Sequence, residues 1–227
     1  LRDPKTTRFR LIPDLETTMT ALLAIWHDVD PSVATVYDAW YDEEHFPERL
    51  SCPGFINGQR YRAIDANTTP QYLAFYEVAS LDALTSPTYR SRLENPTERT
   101  KKVIAGFRNS IRGACRVRFD KGTGAGLFCA TLALDGAKSA GRLTQMAETI
   151  AKRTGVSRMR IIEGDAAATG PVTAEQRLRG QLDRPVPLTA IVEMDTDADL
   201  GCIGALHPAP GEVVRRYRRL RFALAPK

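Results

Sequence analysis

Trp40-Tyr41-Asp42-Glu43-Glu44-His45-Phe46-Pro47-Glu48-Arg49, followed closely by Pro53-Gly54-Phe55 and Arg60-Tyr61, is the stretch that decides the fold. Val33, Val36, Tyr37, Trp40, Tyr41, Glu44 and His45 recur at the three-to-four spacing of one helix face. The spacing therefore predicts a helix over 32–44 that presents aromatics and ends on a histidine. Pro53-Gly54 then turns the chain into a strand over 55–64.

Working outward, Ala21–Val29 is a short apolar run before Asp30-Pro31-Ser32. It reads as a buried strand leading to a helix capped by Asp30, with Pro31 at the first helical position. Downstream, 71–78 reads as a third strand after the turn-rich 65–70. A second helical region over 80–107, interrupted by Pro87 and Pro96, precedes a strand over 111–119. The order β-α-β-β-α-β is the ferredoxin-like arrangement.

Residues 121–126, Lys-Gly-Thr-Gly-Ala-Gly, read as a flexible joint. Beyond it come a strand over 127–134, a helix over 137–154 with Gly155 as its C-cap, and strands over 157–163, 188–194 and 213–224. A short helical insertion at 173–180 and a weak helix at 197–206 complete a degenerate copy of the first half. The domain reading is therefore an N-terminal extension at 1–18, poorly ordered, a ferredoxin-like domain at 19–120 carrying the candidate site, and a second such domain at 121–227. The second half has no counterpart of residues 40–49, which points to function in the first half.

Composition narrows the function classes. The chain carries 32 Lys and Arg against 27 Asp and Glu, a net charge of +5. The excess gathers in Arg215, Arg216, Arg218, Arg219 and Arg221, around a single aromatic, Tyr217. Without a nucleic-acid-binding motif, this cluster reads as a solvated or interface strand edge, so no nucleic-acid partner is expected. No apolar run approaches the ~20 residues that span a bilayer, so no membrane partner is expected. Residues 1–18 are polar and basic with no apolar core, unlike a secretory signal. Cys52, Cys115, Cys129 and Cys202 form no CxxC pair, which favours a reducing, cytoplasmic location over a disulfide framework or zinc site.

Residues 20–118 resemble the dimeric α/β-barrel superfamily, in its EthD-like and largely uncharacterised bacterial branch. The resemblance rests on W-Y-D-x-E-H-F-P-E-R (40–49), P-G-F (53–55), R-Y (60–61), Y-L-x-x-Y-E (72–77), and S-P-x-Y followed by N-P-T (86–97). It covers about half the chain; the second half matches only through its element order. The resemblance implies an α+β fold of two tandem ferredoxin-like βαββαβ units forming a dimeric α/β-barrel architecture, with a homodimer expected. Its members' pockets lie between sheet and helices. Their activities include cofactor-free monooxygenation, isomerisation, polyketide cyclisation, haem degradation and chlorite or dye-peroxide chemistry, so the fold leaves the reaction open.

His45 is the leading candidate for acid–base work, because a histidine titrates near neutrality. In this reading Glu44 or Asp42 sets its tautomer, Tyr41 and Tyr76 donate to a developing oxyanion, and Arg60 anchors the substrate. The alternative is a His45 that caps the helix C-terminus as a cation. Tyr37, Trp40, Tyr61 and Tyr72 are candidate substrate-binding residues, with core packing as the plainer account. Strand alternation sends Tyr72 and Tyr76 to one face and Leu73, Phe75 and Glu77 to the other. Arg60–Glu77 or Arg62–Asp65 ion pairs are the competing use of the arginines. His27 and Asp28 end the first strand on opposite faces, and both join the substrate-binding candidates, His27 as a second acid–base group.

No histidine spacing suggests a metal, and the Gly-rich joint lacks the lysine and strand–helix context of a nucleotide loop, so no cofactor is expected. The expectation is a cofactor-independent enzyme, an isomerase, cyclase, lyase or monooxygenase, acting on a small oxygenated aromatic or polyketide-like compound. The alternatives are a haem-binding or haem-degrading protein, or a non-catalytic small-ligand-binding accessory protein.

Overall fold

A computed structural model describes residues 20–133, 140–197 and 213–226. Strand β1 (Ala21–Val29) ends at Asp30, whose carboxylate accepts from the Ser32 amide at 3.0 Å while Pro31 opens a 3-10 turn. The expected cap is therefore in place. Helix α1 (Ala34–Trp40) follows, but it does not stop at Glu44. A π-helical turn (Tyr41–His45) widens it and passes directly into α2 (Phe46–Leu50). Pro47 has no N–H to offer the Glu43 carbonyl and its ring crowds the preceding turn, which a widened turn relieves. Tyr37, Trp40 and Tyr41 form the buried face, whereas Val36 is 49% exposed. The helix is turned so that only the aromatic part of the expected stripe meets the sheet.

Strands β2 (Phe55–Ala63) and β3 (Tyr72–Val78) follow as expected. The second helical region divides into a 3-10 turn (Leu81–Leu84), α3 (Pro87–Glu94) and α4 (Glu98–Ile104), with Pro87 and Pro96 beside the breaks. Strand β4 (Phe107–Gly122) is longer than anticipated and takes in the first two residues of the expected joint. The second half contributes β5 (Phe128–Ala133), α5 (Ala140–Ala151), β6 (Val156–Gly164), α6 (Ala166–Thr169), α7 (Ala174–Leu178), β7 (Thr189–Met194) and β8 (Val214–Leu224). Helix α7 matches the expected insertion; α6 has no counterpart in the sequence reading. Of the weak helix expected at 197–206, only Asp197 lies among the described residues, and the extension at 1–18 lies outside them.

The eight strands close one barrel in the order β1-β3-β2-β8-β5-β7-β6-β4, every pairing antiparallel. Closure is achieved within the chain. Counted within each half, both sets of four strands run in the order 4-1-3-2, and the seams are β2–β8 and β4–β6. Strand β8 is consequently no edge, since it is paired on both sides. Its arginines are taken up locally: Arg215 donates to the Thr69 carbonyl at 2.7 Å, Arg216 pairs with Asp65 at 2.8 Å, and Arg221 donates to the Asp42 carbonyl at 2.8 Å.

Alternation along the strands divides the apolar residues into three clusters. Leu22, Ala24, Trp26, Leu73 and Phe75 pack inside the barrel with Tyr61, Cys129 and Tyr217. Leu23, Ile25, Ala74 and Tyr76 face the helices of the first half. Ala130, Leu132, Ile161 and Val192 pack against Met146, Ala147 and Ile150 of α5. The barrel interior also holds charge: Glu77 lies between Arg158 at 2.5 Å and Arg160 at 2.6 Å, and Arg160 reaches Glu193 as well.

Candidate active site

The site lies on the helix side of the first-half sheet. β1 delivers Leu23, Ile25 and His27 to one face, and β3 delivers Tyr76 to the same face. The π turn and α2 supply Tyr41, His45 and Arg49. These side chains surround a chamber of about 20 Å³ with Tyr89, Arg112, Glu175 and Arg179. Close approach of α2 to the sheet depends on Gly58, where a Cβ would meet the Phe46 ring at 2.8 Å and the Tyr76 ring at 2.9 Å.

His45 packs against Trp40, with ring centroids 4.5 Å apart, and edge-on to Tyr41 at 5.1 Å. Its Nδ1 is buried and has no hydrogen-bond partner among the described residues. Burial, with further contributions from Arg49, Arg179, His27 and Arg112, lowers its pKa well below the usual histidine range. The ring is therefore neutral at neutral pH. The helix continues to Leu50, so a role as C-terminal cap does not apply. Nor does a neighbouring carboxylate set its tautomer. Glu44 accepts from the hydroxyls of Thr97 and Thr100, while Asp42 pairs with Arg60 and Arg221.

His27 occupies the same chamber. Its Nε2 lies 2.7 Å from the Tyr37 hydroxyl, and its ring stacks on Phe107 at 4.0 Å. Burial, then Arg179 and Arg60, lowers its pKa well below the usual range. Tyr41 and Tyr76 join hydroxyl to hydroxyl at 3.3 Å. Burial raises both phenols, so both remain protonated donors.

The structure brings His27, His45, Tyr41 and Tyr76 to the chamber and places the remaining candidates elsewhere. Arg60 lies over the rings of Tyr37 at 4.8 Å and Tyr41 at 4.4 Å and pairs with Asp38 and Asp42. It braces the aromatic helix from behind and does not line the chamber. Neither the Arg60–Glu77 nor the Arg62–Asp65 ion pair forms: Glu77 is inside the barrel and Asp65 pairs with Arg216. Tyr61 also points into the barrel, donating to Gln59 at 2.6 Å. Tyr37, Trp40 and Tyr72 form the wall behind the histidines, Trp40 donating to the Thr100 hydroxyl at 3.0 Å. Asp28 fastens loops, accepting from the Gln71 amide at 2.5 Å and from Asn109 at 2.8 Å.

Five polar chamber residues were not among the candidates: Arg49, Tyr89, Arg112, Glu175 and Arg179. Arg49 follows His45 by four residues, a same-face spacing once the helix is extended. Tyr89 belongs to the S-P-x-Y motif, and its hydroxyl accepts from Arg112 at 2.9 Å. Glu175 and Arg179 are likewise four apart on α7 and its cap. They come from the second half, which therefore helps to build the site. Arg49 and Glu175 form a buried ion pair across the halves. Among the described residues no group of three His, Cys, Asp or Glu side chains converges as a metal-ion ligand set, and no helix is long and apolar enough to cross a membrane.

No protein-family model and no curated protein matches this sequence. Solved structures do match. An anthrone oxidase-like protein superposes with a TM-score of 0.61 at 9% identity, covering 93% of this chain and 95% of its own. A candidate monooxygenase from Fusobacterium nucleatum subsp. nucleatum gives 0.57 at 9% identity, covering 91% and 95%. A candidate monooxygenase from Lactobacillus acidophilus gives 0.55 at 10% identity, covering 91% and 97%. What the chain shares with them is the fold, the α+β barrel that the sequence motifs imply.

Proposed function

We propose that this chain is a cofactor-independent enzyme that moves a proton on a small oxygenated compound, aromatic or polyketide-like, leading to isomerisation, cyclisation or elimination, or, with molecular oxygen as co-substrate and oxidant, to oxygen insertion. One observation carries the reading: a neutral histidine, His45, holds a buried and unpartnered ring nitrogen in a chamber it shares with two protonated tyrosines. The ring offers a nitrogen free of internal hydrogen bonds, and because burial and the nearby guanidinium groups disfavour the imidazolium, a proton taken there is passed on rather than held. The Tyr41–Tyr76 pair supplies donors to the enolate or phenolate that results, in a water-poor site where such donors are most effective. His27, held by Tyr37, is the second proton carrier. Arg60 positions Tyr37 and Tyr41.

The names of the three fold neighbours, which speak of an anthrone oxidase-like protein and of monooxygenases, support an enzyme that acts on a small molecule. The matching 4-1-3-2 strand orders support two ferredoxin-like units in tandem, 19–120 and 121–227. A homodimer is part of the proposal, supported by the exposed Leu220, Phe222 and Leu224 on β8 and Ile56 on β2. So is a cytoplasmic location, on the cysteine pattern.

The test is a thermal-shift screen of wild type and His45→Gln against phenolic acids, quinones, polyketide-like lactones and haemin. A ligand at about 100 times its Kd adds ~2.7 kcal/mol. Solvent-deuterium exchange into the ligands that bind is then followed by NMR. Exchange by wild type and not by His45→Gln is expected. Binding without exchange would favour a non-catalytic accessory protein, and a response to haemin alone would favour the haem reading.

A further inference from the structure

The histidine chamber takes no more than the reacting end of a substrate, but it shares a wall with a larger space. At about 20 Å³ it has room for one water or so. Between β4 and the segment 164–186 lies a cleft of about 290 Å³, close to the lower end of the ~300–1,000 Å³ typical of small-molecule sites. Arg112 lines both spaces. Beside it stands the Arg179–Asp183 ion pair, with Arg179 lining the chamber and Asp183 lining the cleft.

The cleft has one cation available and mostly apolar walls. Asp183 is occupied by Arg179 and by Gln176, which donates at 2.8 Å. Asp165 accepts from the Ala168 amide at 2.8 Å and pairs with Arg116 at 2.6 Å. Arg112 is 6% exposed and donates to the Tyr89 hydroxyl, yet it contacts no carboxylate among the described residues. Val172, Leu182, Pro185 and Val186 supply apolar surface around it. Asp183 and Glu175 act on this guanidinium only from beyond hydrogen-bond distance, and a buried guanidinium with no carboxylate in contact, set among apolar walls, matches a ligand with one negative charge and an apolar body.

We propose that this cleft recognises a small, otherwise apolar organic carboxylate, whose carboxylate is bound by the Arg112 guanidinium at the boundary with the histidine chamber. The inference goes beyond the acid–base reading: it assigns a recognition site beside the histidine chamber and leaves the chemistry inside the chamber to that reading. The carboxylate replaces water on the free edge of the guanidinium, and the apolar body covers the wall formed by Val172 and Val186. The Tyr89 hydroxyl fixes the guanidinium from the other side, so the charge is positioned before the ligand arrives.

Isothermal titration of the full chain with benzoate and 2-naphthoate, against the neutral benzamide and 2-naphthamide, tests this directly. The variants are Arg112→Gln, which removes the charge; Val172→Trp, which fills the cleft from a position already 43% exposed; and His45→Gln. Carboxylates should bind wild type at least tenfold tighter than the amides. That preference should vanish in Arg112→Gln, and carboxylate affinity should fall at least tenfold in Val172→Trp with circular dichroism and Tm retained. If Arg112→Gln does not fold, Val172→Trp decides alone. Equal affinity for acid and amide, no carboxylate binding to wild type, or undiminished binding in Val172→Trp would overturn the proposal. His45→Gln should bind the carboxylates normally. If it also retains full exchange activity, the acid–base reading fails while the recognition site stands.

Discussion

The Arg49 guanidinium and the Glu175 carboxylate, 126 residues apart in the chain, form an ion pair in which both side chains are at most 4% exposed. The pair ties the helix that carries His45 to a short helix of the second half. Removing Arg49 leaves the Glu175 carboxylate buried without its paired cation, which typically costs about 3–5 kcal/mol, whereas removing Glu175 leaves Arg49 with Glu48 at 3.6 Å and costs less. Arg49→Met should therefore destabilise more than Glu175→Leu, and the double variant should lose less than the sum. Chemical denaturation of the four proteins in a double-mutant cycle measures the coupling; strict additivity would mean the two charges do not depend on each other.

Local signals in the sequence give the element order of the first half. Asp30-Pro31 marks a helix start and alternation puts Tyr72 and Tyr76 on one face; that this face, and His27 rather than Asp28, meets the helices emerges only when the sheet is covered. The π turn is harder to read, because Pro47 looks like a helix stop when the chain in fact widens a turn and continues. Truncating the helix there hides Arg49. Arg60 was misplaced for another reason: strand alternation gives its face, but Asp38 and Asp42 of the covering helix determine its partners. Glu175 and Arg179 are invisible to any local pattern, since their place depends on how the barrel closes. The same holds for β8, whose arginine-rich sequence resembles an edge although it is paired on both sides.

Gly58 sets the distance between the histidine-bearing helix and the sheet. A methyl group there would meet the Phe46 and Tyr76 rings below 3.0 Å, and both rings are fully buried with little room to yield. Gly58→Ala should therefore destabilise by about 1–3 kcal/mol, the usual range for overpacking. Phe46→Leu in the same chain should recover part of the loss. Urea denaturation of the single and double variants checks both expectations, and an unchanged midpoint for Gly58→Ala would show that the rings shift freely.

Arg160 holds two carboxylates of the barrel interior at once, Glu77 at 2.6 Å and Glu193, while its guanidinium lies 4.7 Å from the centre of the Phe75 ring. Glu77 comes from the first half and Glu193 from the second, so one cation serves both. Arg160→Met keeps the apolar stem but strands Glu193, and the expected loss is about 3–5 kcal/mol. Adding Glu193→Gln removes the stranded charge and should restore stability relative to the single variant. No recovery in guanidinium denaturation would place the effect of Arg160 in its packing on Phe75 instead.

His27 and His45 make a shared, signed contribution to the pH dependence of stability. Burial lowers both pKa values, assisted at His27 by Arg179 and Arg60 and at His45 by Arg49 and Arg179. In the unfolded chain both titrate near the ordinary value of about 6.5. Below that pH the unfolded chain takes up protons that the native state refuses, so native stability declines as pH falls. Above it both states are neutral at these positions, and the contribution is flat. Each histidine can supply a slope of up to about 1.4 kcal/mol per pH unit. Denaturation midpoints should therefore drop on moving from pH 7 to pH 5.5, and His45→Gln should remove up to half of the slope that the two histidines supply. A His45→Gln variant whose acid limb matched that of the wild type would mean that His45 takes up its proton alike in the folded and unfolded chain, and would remove the neutral base on which the proposed proton transfer depends.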